Sequence, residues 1–353
     1  MSITVQPYGK CSTGEAVHLY TIQLESGESV DMLDYGATLH GIRVPDKQGK
    51  LDDVCLGFSD PCVYGSSKGG SMGGIIGRVG NRIKGGAFEL NGKAYQMAKN
   101  EGDNNLHSGP RGFHLRMWKA EPQPDGKTVK FTLCSPDGDE GFPGNAEVSV
   151  SYTFEKTDGS CNLRIAYKAV SDADTLMNMT NHAYFNLHGC GDVRNHRLKI
   201  DAKQLTETDS ALIPTGKYQC AKEAGLDFYT ERRVGDVLDQ MAQYPVIANA
   251  QGIDANFVLC SKSGELREIA WLRDPESGRV MTVVTDQPGV QCYSGQHLNV
   301  AGKDGSLYSA YSGICLETQH FPDSIHHPEF DSIVLKAGET YQTITEYRFS
   351  TCK

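Results

Sequence analysis

Two stretches near the middle of the chain leave little freedom in fold class. From Ala146 to Phe154, Val148, Val150, Tyr152 and Phe154 alternate with Glu147, Ser149, Ser151 and Thr153, the period of two that turns one face of a strand to a core and the other to water. Asp158-Gly159 follows, a pair that accepts the positive φ angles of a type I′ turn, and Leu163, Ile165, Tyr167 and Ala169 then resume the alternation. A second antiparallel hairpin reads from Phe88-Glu89-Leu90 and Lys93-Ala94-Tyr95 around Asn91-Gly92. Further strands are expected at 17–24, 37–44, 128–134, 196–202, 266–273, 279–285, 289–294, 313–318 and 341–349, several separated by turn sequences such as Pro136-Asp137-Gly138. Helix candidates are short, the best being 232–243, which ends before Pro245. The 39 glycines, about 11% of 353 residues against a usual ~7%, carry no collagen period and supply turns. The expected class is therefore all-β.

No Pro- or Ser-rich linker and no fixed-period repeat interrupts the chain, so residues 1–353 are expected to form a single domain. So many strands exceed a simple sandwich and call for large antiparallel sheets packed face to face. A net charge of −10 argues against nucleic acid or an anionic membrane as partner, because both require a basic face. The start, MSITVQPYGK, lacks a basic segment followed by an apolar one, and no run of 18 apolar residues occurs, so a cytoplasmic protein is expected. The eleven cysteines are odd in number, scattered singly and free of C-x-x-C pairs, which reads as reduced packing residues. Asn178-Met179-Thr180 matches a glycosylation acceptor, and a cytoplasmic chain leaves it unmodified.

Gly73-Gly74-Ile75-Ile76-Gly77-Arg78-Val79-Gly80 imitates a dinucleotide fingerprint but runs on toward a hairpin and offers no helix N-terminus to a phosphate. The histidines at 107, 114, 182, 188, 320, 326 and 327 show no H-E-x-x-H or H-x-H spacing, and His326-His327 beside Pro328 reads as a surface loop, so no metal is expected. Four segments set polar, chemically able groups among apolar neighbours, where burial is costly unless the group is paired or used. They are Asn181–Leu187 with His182, Gly313–Gln319 with Glu317, Gly252–Leu259 with Asp254, and Asn105–Gly109 with His107. Spacing alone does not show that they meet.

Together with Gly77-Arg78-Val79-Gly80-Asn81-Arg82 and Gly289-Val290-Gln291, the runs Asn105-Leu106-His107, Asn181-His182-Ala183-Tyr184-Phe185-Asn186-Leu187 and Leu316-Glu317-Thr318-Gln319 resemble the aldose 1-epimerase (galactose mutarotase) family, in order and over about residues 10–350. The resemblance implies a β-supersandwich with an open sugar cleft and a cofactor-free interconversion of α and β anomers of aldohexoses. It assigns His182 as general acid, Glu317 as general base, and Asn81, Arg82, His107, Asp254 and Gln291 to substrate binding. Two departures stand out: Ser108 where the family often has glycine, and His188 after Asn186-Leu187. The chemistry asks for a charged Glu317 and a protonated His182, so a His182 pKa raised by Glu317 or Asp254 is expected, with the carboxylate on the acid limb of the pH profile and the imidazole on the alkaline limb. A glycoside hydrolase using Asp254 and Glu317 would leave His182 without a duty, a purely sugar-binding module would not need the pair, and a hexose phosphate would call for more than Arg82 in the cleft. A monomer is favoured; the preferred hexose is not legible.

Overall fold

The computed structural model describes residues 1–352. Three antiparallel sheets dominate it. The N-terminal sheet is a five-stranded meander, Ser2–Lys10, Ala16–Gln23, Ser29–Leu33, Thr38–Pro45 and Leu51–Asp53. A nine-stranded sheet runs, in spatial order, Lys119–Pro122, Thr128–Ser135, Ala146–Thr157, Ser160–Ser171, Thr340–Thr351, Arg279–Thr285, Arg267–Arg273, Arg197–Ile200 and Arg232–Arg233. The third sheet orders Pro214–Cys220, Ala202–Thr208, Asp254–Leu259, Gly289–Tyr293 and Cys315–Gln319. Its last strand, Cys315–Gln319, is an edge and carries Glu317.

The two alternating stretches behave as their period dictates. Val148, Val150, Tyr152 and Phe154 are buried, as are Leu163, Ile165 and Tyr167 opposite them, and Thr157 pairs with Ser160 across Asp158 (φ 52°) and Gly159 (φ 81°). Asn91 (φ 53°) and Gly92 (φ 73°) turn the second hairpin. One apolar core joins all three sheets, with Ile22, Val30 and Leu39 from the first, the alternating set from the second, and Phe257, Val290 and Leu316 from the third.

One expectation is corrected. The helix over 232–243 is broken: Arg232–Arg233 pairs with Arg197–Leu198 at the edge of the large sheet, Val234–Leu238 is a short helix, and Pro245 opens another at Pro245–Ala250. Open backbone groups on a sheet edge are a strong local template, and they take the first residues that a helix would need. His326 and His327 lie at the surface as expected, at the end of the single 3-10 turn Ser324–His326, and they are tied down there: His326 Nδ1 lies 2.6 Å from the fully buried Asp323 Oδ1, which also accepts the Lys84 N–H at 2.9 Å. The glycine-rich run is followed by strand, not helix, and its glycines serve close packing, since a Cβ on Gly77 would lie 2.3 Å from the Phe113 ring. All eleven cysteines are free. The Asn178 side chain is wholly buried and bonded to the backbone of His320, so a sugar could not be attached there in the folded chain. Among the described residues no helix is long and apolar enough to cross a membrane.

Candidate active site

All seven residues singled out in the sequence line one open cleft of about 360 Å³. Register explains the convergence on one side. Asn256, Gln291 and Glu317 are direct partners across three neighbouring strands, and Asp254 pairs with Tyr293, which pairs with Cys315. Residues two apart on a strand share a face, so the sheet presents Asp254, Gln291, Tyr293, Cys315 and Glu317 together. Gln291 Nε2 donates to Asp254 Oδ1 at 2.6 Å.

The opposite wall is built from short strands. Thr180–Asn181 pairs with Ile75–Ile76, and His182 is then locked by its N–H on Gly74 O (3.0 Å) and by Gly73 N–H on its own carbonyl (2.8 Å). Arg82 pairs with Leu106, which brings His107 beside Asn81. The Asn81 N–H donates to His107 Nδ1 at 3.1 Å, which leaves the ring proton on Nε2. Asn81 Oδ1 accepts the Arg82 N–H at 2.9 Å. Ser108, the first departure, sits at φ 64°, a conformation that favours glycine; its hydroxyl compensates by accepting the Val79 N–H (2.8 Å) and donating to Val79 O (2.9 Å). His188, the second, turns to Asp274 at 3.2 Å and does not line the cleft.

At the floor, His182 Nε2 is 3.7 Å from Glu317 Oε1, and its Nδ1 is 3.5 Å from Cys315 Sγ. Tyr184 stacks on the imidazole with ring centroids 5.1 Å apart, and His107 meets it edge-on at 5.3 Å. Glu317 Oε2 and Gln291 Oε1 are buried acceptors without a protein partner among the described residues, which is where ligand hydroxyls could bond.

Burial overturns the expected ionisation. His182 is pushed down to about 4, and Glu317 well above the usual carboxyl range, by burial first and then by the Asp254 charge, with Arg82 pulling the other way. The expectation of a raised His182 pKa fails because it counted charges and not desolvation: the carboxylate meant to hold the imidazolium is itself driven toward its neutral form. His107 is held well below its usual value by burial and then by His182, and Asp254 is raised by burial. Burial thus pushes both members of the free pair toward their neutral forms, imidazole and carboxylic acid, one proton transfer from the imidazolium–carboxylate form.

Several lining residues escaped the sequence reading. Tyr184 and Tyr293 lie two positions from His182 and Gln291, so strand alternation alone could have flagged them. Glu101, His297, Ser71 and Leu212 carry no comparable signal. His182, Cys315 and Glu317 also offer donor atoms within 4.8 Å of one another, but Cys315 and Glu317 face opposite ring nitrogens, a poor fit to one metal ion.

Packed antiparallel sheets with a buried carboxyl–imidazole pair at the floor of a polar cleft place the protein among the all-β sandwiches. Residues 18–348 match the family model described as Aldose 1-epimerase, and the chain belongs to that family. It is 37% identical to galactose mutarotase of Homo sapiens, covering 99% of each chain, and 34% identical to aldose 1-epimerase of Escherichia coli (strain K12), covering 95% of this chain and 96% of that one. Among solved structures, an aldose epimerase homologue from C. elegans superposes with a TM-score of 0.86 at 29% identity, covering 96% of this chain and 100% of that one.

Proposed function

We propose that the chain interconverts the α and β anomers of aldohexoses, galactose and glucose foremost, with Glu317 as base and His182 as acid. The observation that carries this reading is the 3.7 Å pairing of a buried carboxyl with a buried imidazole beside orphaned acceptors. Opening a pyranose moves one proton off the anomeric hydroxyl and another onto the ring oxygen, so an acid and a base near the C1–O5 bond suffice. Glu317, as carboxylate, takes the first proton; His182, as imidazolium, gives the second. Rotation about C1–C2 then presents the other aldehyde face, and the same transfers in reverse close the other anomer. The pair carries one exchangeable proton throughout, so each turnover returns it to its starting state, and no cofactor is called for.

The remaining groups hold the sugar. Asp254 and Gln291, already bonded to each other, accept and donate to ring hydroxyls. Arg82 supplies a cation between Asp254 and Glu317, His107 offers Nε2–H to a sugar oxygen, and Asn81 orients both. In the same reading residues 1–353 act as a single domain, which the large sheet supports by joining strands 119–171 to the C-terminal strand Thr340–Thr351, and the protein is a cytoplasmic monomer. Polarimetry on freshly dissolved α-galactose and α-glucose tests the activity. Wild type accelerates mutarotation over buffer, while His182→Asn and Glu317→Gln each lose about 10²- to 10⁴-fold in kcat. No acceleration with either sugar, or a Glu317→Gln variant keeping more than about a tenth of kcat, refutes it.

A further inference from the structure

Among the described residues Arg82 is a cation whose field lowers the pKa of both buried carboxyls of the cleft, Asp254 and Glu317, and its side chain is long and rotatable. Its backbone is fixed, with N–H on Asn81 Oδ1 and its carbonyl accepting Asp323 N–H at 3.0 Å, but that does not decide where the guanidinium points. Glu101 does. Arg82 Nε donates to Glu101 Oε2 at 2.6 Å and Nη2 to Oε1 at 2.7 Å, a two-pronged contact that fixes the plane of the guanidinium as well as its place. The fork uses one edge of the group; Nη1 makes no hydrogen bond among the described residues and remains for the cleft.

The carboxylate is itself carried on a built element. Glu101 N–H bonds to Asn104 O (3.2 Å) and Asn104 N–H to Glu101 O (2.9 Å), closing a turn directly before Asn105–Leu106, the strand that pairs with Arg82–Ile83. Asn100 clamps the base of that turn by bonding both backbone groups of Leu106, at 2.8 and 2.9 Å. The turn therefore reaches Arg82 from the rim of the cleft with little freedom, and Glu101 is half-exposed while Arg82 is buried.

We propose that Glu101 is a positioning residue for sugar binding, which acts through Arg82 by holding its guanidinium with Nη1 toward the substrate hydroxyls. The inference rests on the sugar-binding reading of the cleft. A buried guanidinium that loses its carboxylate is left undercompensated and reorients toward water, so the sugar must then restore its position at the expense of binding energy. The loss falls on KM, because the bond-making groups His182 and Glu317 are untouched.

Steady-state mutarotation of galactose by wild type, Glu101→Gln, Arg82→Lys and the double variant tests this, with thermal melts to confirm that each is folded. Glu101→Gln is expected to raise KM at least fivefold with kcat within threefold, and Glu101→Asp, which keeps the charge on a shorter arm, to fall between it and wild type. Arg82→Lys cannot form the fork, so adding Glu101→Gln to it is expected to change KM by less than twofold. A KM for Glu101→Gln within twofold of wild type, a loss confined to kcat, or effects that multiply in the double variant would each overturn the proposal. An error in the assigned activity would show differently, as wild type failing to accelerate mutarotation at all.

Discussion

Lowering the pH from 6.5 to 5 should strip several kcal/mol from the stability of this protein. His40, His114, His182 and His196 are buried, and burial pushes His182 and His196 down to about 4, His114 to about 3 and His40 well below its usual value. Unfolded, each takes a proton near pH 6.5. A depressed pKa costs nothing while both states are neutral; the cost begins as pH falls through the unfolded value and is complete only below the folded one. Between pH 6.5 and 5 each imidazole that stays neutral forgoes RT ln[(1 + 10^1.5)/2], about 1.7 kcal/mol, so four forgo about 7 kcal/mol. Asp254 and Glu317, raised by burial, act with the opposite sign, because folding keeps their protons where the unfolded chain releases them; they return at most about 4 kcal/mol over the same window. His326, held up by its hydrogen bond to Asp323, takes its proton more readily folded than unfolded and so does not add to the loss. With His107, also held well below its usual value, adding to the loss and Asp34, raised by burial, offsetting it, the net loss is about 3 kcal/mol, a large part of a typical 5–15 kcal/mol. Urea titrations followed by circular dichroism at pH 6.5 and 5.0 measure it, with His114→Leu expected to shed about 2 kcal/mol less between the two. Equal stability at the two pH values would refute the reasoning.

The same ionisation sets the rate profile. kcat/KM should be bell-shaped, with an acid limb near pH 4, where the pair takes a second proton onto His182, and an alkaline limb above the usual carboxyl range, where the pair loses its only proton; an acid limb at or above pH 6.5 would contradict it. Arg78, fully buried, donates to Ser135 Oγ, Thr175 Oγ1 and the carbonyls of Ser135, Pro136, Pro143 and Gly144. Arg78→Met strands those acceptors and should cost about 4 kcal/mol or more in urea unfolding, whereas a loss under about 1 kcal/mol would show the network to be dispensable. Ser108→Ala keeps the positive φ but loses both bonds to Val79, for about 2 kcal/mol, while Ser108→Gly sheds strain as it loses them and should stay within about 1 kcal/mol of wild type; the reverse order in thermal melts would refute this account.

Local rules were enough for the long strands and both hairpins, because alternation and Asp-Gly or Asn-Gly turns act within a few residues. They failed at 232–243, where the edge of a sheet assembled from distant segments captured Arg232–Arg233. Two-residue strands such as Ile75–Ile76 and Asn105–Leu106 are too short to show a period, yet they aim His182 and His107. Polar groups set in apolar strands pointed to His182, Glu317, Asp254 and His107, and family motifs added Asn81, Arg82 and Gln291. Glu101 gave no sign, since an acidic residue in a polar turn resembles any solvated one until the fold sets it 2.6 Å from Arg82.

By itself, then, the sequence determined an all-β chain, its hairpins and the side chains available for acid–base work, all properties of near neighbours along the backbone. Only the tertiary structure decided which way their pKa values move. Desolvation depends on what every other segment brings to the cleft, and here the closing of three sheets over His182 and Glu317 pushes the imidazole's pKa down and the carboxyl's up.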